Sequence, residues 1–236
     1  MSYGIGPMRP DYTPQLPPAR PPREPADASA RPDLDQVRRD YQVQQDDLVT
    51  WSPNLIGWIP GVPSQQVTAT EAKLLDNLQA ARGLVGLDTF RGIRDDALQT
   101  AQDRYPGATP VDGHLDAFRH AYWNALMVRE YGEDFARDFA TAHEGSADSA
   151  DSEAMDLYNN EVGRRIALEN PDASPAELAD LVEQAVRNGE MVVIDGDGEL
   201  AWSDQVEIGA TGRADDPQGA GGAAPPDGDT YPDSGY

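Results

Sequence analysis

Between residues 112 and 167, ionisable and amide side chains share helical stripes with large apolar ones, and this mixture restricts what the chain can build. In DGHLDAFRHAYWNALMVREYGEDFARDFATAHE (112–144), Asp116, His120, Trp123 and Met127 stand at i, i+4, i+7 and i+11, on one face of a helix. A solvated face would not carry Trp123 and Met127, and an ordinary core face would not carry Asp116 and His120. Such a face is buried only if its polar groups find partners, because each one left unpaired costs several kcal/mol, roughly. In EAMDLYNNEVGRRIA (153–167), Asp156, Asn159, Asn160 and Gly163 stand at i, i+3, i+4 and i+7, so a second helix offers a similar face. Ala117, Ala121 and Ala125 form a ridge of small residues that allows another helix to come close.

Gly132 is expected to end the first helix, and Asp134 to cap a second one that runs to His143 and Glu144. Three helices joined by short connections pack antiparallel in order, which turns their polar sides toward one pocket. All three histidines of the chain, His114, His120 and His143, lie in this region beside carboxylates.

Around that centre the spacing predicts an all-α fold: a compact multi-helix domain with a small C-terminal β-hairpin and disordered tails. Residues 1–32 are Pro-rich and read as a disordered segment, since proline fixes φ and has no donor. Residues 33–67 read as one weakly amphipathic helix followed by an apolar strap, WSPNLIGWIPGVPSQQV, in which Trp51 and Trp58 are packing residues. The helical domain, 68–208, opens with a capping box at Thr68 and Glu71. Within it, Asp88 is expected to cap a separate helix that ends at Pro106-Gly107, and Ser174-Pro175 to start the last helix. MVVIDGDGELAWS reads as the hairpin, with Asp-Gly turn signals between two apolar runs. Residues 209–236 are Gly, Pro and Asp with little to bury, and read as a disordered acidic tail.

Formal net charge is −24, and residues 68–208 alone carry 11 Lys/Arg against 29 Asp/Glu. A surface of that sign repels phosphate backbones, so no nucleic-acid partner is expected on electrostatic grounds. A basic partner, such as a cognate immunity or inhibitor protein, suits it better. No stretch approaches the ~20 apolar residues of a membrane helix. No signal peptide of the general secretory kind is seen. With no cysteine there are neither disulfides nor thiol nucleophiles.

Two classes of function fit these residues. One is a hydrolase built inside the bundle. In its metal form, His120, His143, Glu144 and Asp156 supply two imidazoles and two carboxylates for one divalent ion of zinc, manganese or iron. In its metal-free form, Asp116 orients His120 as general base, with Arg119 or Asn124 stabilising developing negative charge. Asp116, Arg119, His120, His143 and Glu144 are thus the catalytic candidates, and His114, Asn124, Asn159 and Asn160 those for binding substrate. The other class is a non-catalytic interaction domain, in which the same groups form a buried network that fixes helix register. In that case His120 bridges helices, His143 is a cation at a helix C-terminus, and Arg119 pairs with Asp116.

The motifs DAFRHAYWNAL, TAHE and MDLYNNEVGR resemble an uncharacterised bacterial domain found in secreted, wall-associated and polymorphic-toxin-type proteins, with actinobacterial examples prominent. The resemblance extends from about IPGVPSQQVT to VVIDGDGELAWSD. It implies a mostly helical domain in an exported or effector-type setting: secreted or at the cell surface without a classical signal peptide, and cytoplasmic before export. It supplies no reaction. The order His, His-Glu, Asp on successive helices is loosely similar to HD-type metal phosphohydrolases, although Glu stands where that family has Asp and the spacing is shorter.

Overall fold

A computed structural model describes residues 31–53, 64–147, 149–212 and 214. The expectations for residues 1–30, for Trp58 and the middle of the strap, and for most of the acidic tail lie outside these residues; of the stretches expected to be disordered, Arg31 is seen pairing with Asp204 at 2.8 Å, and Gly212 and Ala214 are seen bonded to Ile194 and Asp112. The described chain is mostly helical. Its elements are α1 (Leu34–Asp40), β1 (Leu48–Trp51), β2 (Gln65–Thr68), α2 (Ala69–Arg104), α3 (His114–Tyr131), α4 (Glu133–His143), a 3₁₀ turn (Glu144–Ser146), α5 (Ala150–Glu169), α6 (Pro175–Arg187), β3 (Val192–Ile194) and β4 (Leu200–Trp202). β1 pairs antiparallel with β2, and β3 with β4.

The middle helix is buried almost all round. α3 packs against α2, α4, α5 and α6, and from His114 to Met127 only Arg119 keeps appreciable exposure. A helix enclosed in this way needs apolar or paired residues on every side, and α3 has both. Phe118, Leu126 and Met127 join Phe139 of α4, Ile166 of α5 and Val182 of α6 in the main core. Each such side chain contributes roughly 1.5–3 kcal/mol by burial. Phe135 is only partly buried, at the rim of this cluster.

Helix ends follow local chemistry in most places. Thr68 and Glu71 form a reciprocal capping box on α2, and Ser174 with Glu177 does the same on α6, with Pro175 in the first turn. Gly132 ends α3 with φ 89°, and it also precedes α4 directly. Asp134 therefore does not cap α4; it lies in the first turn, exposed, and pairs with Arg137 at 3.0 Å. Asp88 does not start a new helix either. α2 runs through it, and the break comes earlier, at Gly83, whose φ of 67° and ψ of −163° no helix contains. Residues 33–50 are not one helix: α1 stops at Asp40 and β1 begins at Leu48. In β1 the alternation of exposed Thr50 with buried Trp51 is that of a half-buried strand. Trp51 packs in the core as expected and donates its indole N–H to Asp76 at 2.9 Å.

α3 and α5 set the geometry of everything below. They run parallel, because α4 lies between them in sequence and reverses the chain twice. Gly163 of α5 sits so close to Ala121 of α3 that a Cβ there would lie 2.0 Å from the Ala121 carbonyl oxygen. Ala117, Ala121 and Ala125 are fully buried, the small-residue ridge that this approach requires.

Candidate metal centre

The first turn of α3 is held by an unusual residue. Asp112 has φ 61°, the only non-glycine among the described residues with positive φ, a conformation that costs roughly 1–2 kcal/mol. Four bonds keep it there. Its N–H donates to Asp116 Oδ2 at 2.7 Å, and its carbonyl accepts from Ile194 N–H at 2.8 Å. Its carboxylate accepts from the Ser152 hydroxyl at 2.8 Å and the Ala214 N–H at 3.4 Å. With Oδ2 of Asp116 fixed, Oδ1 faces His120, one helical turn on.

Three ligand-type atoms converge at this point. His120 Nε2 is 3.4 Å from Asp116 Oδ1 and 3.5 Å from Asp156 Oδ1, and the three side chains form a buried group able to hold a metal ion. Ligand atoms about 2.0–2.1 Å from a tetrahedrally held zinc stand roughly 3.3 Å apart, so these two separations are close to those of coordination, and all three atoms lie within 4.8 Å of one another. On the other side of the imidazole, Nδ1 faces Glu144 Oε1 at 3.7 Å. Neither His120 Nδ1 nor Asp156 Oδ1 has a hydrogen-bond partner, although both are buried. Buried polar atoms are almost always paired, so the bare Asp156 oxygen, on the Nε2 side of the ring, marks a place where something else binds.

Arg119 occupies part of that place. Its Nε donates to Asp116 Oδ1 at 3.1 Å, its terminal nitrogen contacts the same oxygen, and that nitrogen also lies 2.8 Å from His120 Nε2. A guanidinium has only donors, so Nε2 must accept and Nδ1 must carry the proton that points toward Glu144. The charges are unequal in effect. Burial alone would push the Asp116 carboxyl up, but the Arg119 guanidinium, with help from His120, holds it well below the usual carboxylate range. Asp156 goes the other way: burial, then the charges of Asp116 and Glu144, raise it well above that range.

An amide layer continues the cluster one turn further along. Asn124 Nδ2 donates to Asn160 Oδ1 at 2.6 Å and to the His120 carbonyl at 3.1 Å, and its Oδ1 accepts from Arg164 at 2.9 Å. Asn160 in turn donates to Glu144 Oε1 at 3.5 Å. The solvent side is defined by exposure: the side chain of Arg119 keeps 17 % and that of Asp156 10 %, against 2 % for Asp116 and His120.

The candidates thus divide. Asp116, Arg119, His120, Asn124, Glu144, Asp156 and Asn160 come together. His143 does not join them: its Nδ1 lies 2.8 Å from Glu71 Oε1, at the start of α2, and its ring stands edge-on to Trp123 at 5.6 Å. Burial works to lower its pKa, but the charge and hydrogen bond of Glu71, aided by Glu144, hold it up to about 9. A cationic imidazole is no metal ligand, and Asp116 stands in the cluster where His143 was expected. His114 is the first residue of α3 and is buried, with Nε2 2.8 Å from the Ser203 carbonyl. Asn159 turns away from the centre and makes two bonds to the backbone of Val192, at 2.9 and 3.0 Å.

Three contributors escaped the sequence reading. Asp112 has a turn signal in its Asp-Gly pair, yet its bonds to Ile194 and Ser152 have none. Arg164 continues the 156, 160 stripe by four residues and was legible there. Glu71 was visible only as half of a capping box.

Fold and site together define a helical domain with a buried carboxylate–imidazole–carboxylate centre. Residues 84–190, which include that centre, match the family described as "Domain of unknown function (DUF6973)". No curated protein matches the chain, and no solved structure does.

Proposed function

We propose that the domain is a hydrolase of the secreted-effector or toxin type whose centre, Asp116, His120 and Asp156, holds one divalent ion of zinc, manganese or iron. The observation that carries this reading is the convergence of His120 Nε2, Asp116 Oδ1 and Asp156 Oδ1 in one buried group, with Asp156 Oδ1 left without a hydrogen-bond partner. Two carboxylates and one imidazole suit those ions, and three protein ligands leave room for water or substrate. Bound there, the ion would activate a water molecule as nucleophile. The chain's own groups complete the arrangement. The Asp112 N–H fixes which oxygen Asp116 presents. Glu144 stands behind His120, its Oε1 3.7 Å from Nδ1, on the side where a carboxylate usually supports a ligating imidazole. Asn160 links Glu144 to Asn124 and holds it in line. The acidic surface fits a basic immunity or inhibitor protein as partner.

The competing reading is a non-catalytic interaction domain. One observation favours it: Arg119 already satisfies two of the three ligand atoms, as it would in a purely structural network. Metal analysis of the purified chain separates the two. About one transition-metal ion per chain, lost in His120→Ala with helical circular dichroism retained, supports the centre. Growth arrest of a susceptible host by the wild type but not by His120→Ala supports catalysis. No metal, and equal effects of the two on growth, would leave the structural network.

A further inference from the structure

Arg119 and the cation of the proposed centre make claims on the same electrons. We infer that Arg119 is the internal counter-ion of the cation seat, holding it in the unloaded protein and swinging toward solvent when a divalent ion enters. The inference rests on the metal reading above and adds how the seat is filled and emptied.

The argument begins with His120. A neutral imidazole has one unprotonated nitrogen with one lone pair. Arg119 donates into that lone pair at Nε2, the nitrogen that lies between Asp116 Oδ1 and Asp156 Oδ1. A metal ion coordinated by those two carboxylates and His120 needs the same lone pair. The two cannot be present together. Asp116 repeats the conflict: Nε and the terminal nitrogen of Arg119 both address Oδ1, while Oδ2 is taken by the Asp112 N–H. Arg119 thus covers the atoms a cation would use on two of its three ligands, and leaves the third, Asp156 Oδ1, without a hydrogen bond.

The exit is also present. Arg119 is the one residue between His114 and Met127 with appreciable exposure, on a helix otherwise enclosed. Its long stem lets the guanidinium leave the seat without moving α3. An arginine that were only structural could be as enclosed as its neighbours. In the loaded protein the guanidinium stands at the entrance, a positive group positioned for an anionic part of whatever approaches the ion.

Titrating the full chain with Zn²⁺ and with Mn²⁺ by isothermal calorimetry tests this. Arg119→Gln should bind either ion roughly tenfold more tightly than wild type, or better, because one charge-assisted bond need no longer be broken. Arg164→Gln removes the same charge one turn away, at Asn124 but outside the seat, and should change affinity far less. A second measurement uses the unaltered protein: modification by phenylglyoxal, mapped by mass spectrometry, should become faster at Arg119 when the ion is added. If the ion binds but both variants tighten alike, or Arg119 reacts no faster, the seat-sharing idea fails while the metal centre stands. If neither wild type nor Arg119→Gln binds an ion, both fall.

Discussion

Replacing Gly163 by alanine sets two well-known effects against each other. In an exposed helix interior the change stabilises by roughly 1 kcal/mol, through helix propensity. Here the new Cβ would stand 2.0 Å from the Ala121 carbonyl oxygen and 2.6 Å from its C and Cα. These are backbone atoms, so no side-chain rotation relieves them. Carbon atoms rest about 3.5–4.0 Å apart, so α3 and α5 must separate locally by an ångström or more. Overpacking of that kind costs roughly 1–3 kcal/mol. The same separation stretches the Asn124–Asn160 bond of 2.6 Å and the His120–Asp156 approach of 3.5 Å. Each buried group that loses its partner adds about 1–3 kcal/mol. Against the propensity gain, a net loss of roughly 2–4 kcal/mol is expected. In urea, with a slope of about 1–3 kcal/mol per molar, the midpoint should fall by roughly 1–2 M. An unchanged or higher midpoint would mean that the helices do not meet at Gly163, and the parallel α3–α5 contact on which the site depends would be wrong.

Asn159→Ala should destabilise by roughly 2–4 kcal/mol, since it leaves both the N–H and the carbonyl of Val192 unpaired in a fully buried position; a loss below 0.5 kcal/mol in thermal unfolding, on the order of a surface change, would refute this. The His143–Glu71 pair makes stability depend on alkaline pH. His143 is raised from 6.5 to about 9 in the fold, so its contribution is full below pH 6.5 and is lost as pH rises through about 9. Discounted for the 31 % exposure of the side chain, the loss is on the order of 1–2 kcal/mol, and His143→Gln should flatten the melting temperature between pH 6.5 and 9.5. Glu71 acts at the other end: its carboxyl is held low, so its part is present above its ordinary value near 4.5 and is lost as pH falls.

What could be read from sequence was whatever lies within one or two helical turns. The i, i+4 pair Asp116 and His120, the stripe through Asp156 and Asn160, the capping boxes at Thr68 and Ser174, and the hairpin after Met191 all follow from spacing alone. The partners that decide the roles of the other residues are remote. Glu71, which takes His143 out of the metal set, is 72 residues away, and Ser203, which occupies His114, is 89 away. Asn159 and Asn160 are adjacent, yet a helix turns one toward the hairpin and the other toward the centre. Pattern identified both as polar groups in a buried face but gave no way to divide them. Gly83 shows the same limit: nothing near it distinguishes the break in α2 from the unbroken stretch at Asp88.

The strained backbone of Asp112 bears on when the centre exists at all. Beside the bond to Asp116, three bonds that hold this residue come from chain made well after it. The Ser152 hydroxyl follows by 40 residues and the Ala214 amide by 102, with Ile194 between them. Synthesis proceeds from the N-terminus, so a growing chain has Asp116 and His120 in hand well before it has the means to fix Asp112. Asp116 then has nothing to choose which oxygen it presents. Until Ile194 and Ala214 have been made, the growing chain carries all three ligands without the whole frame that aims Asp116.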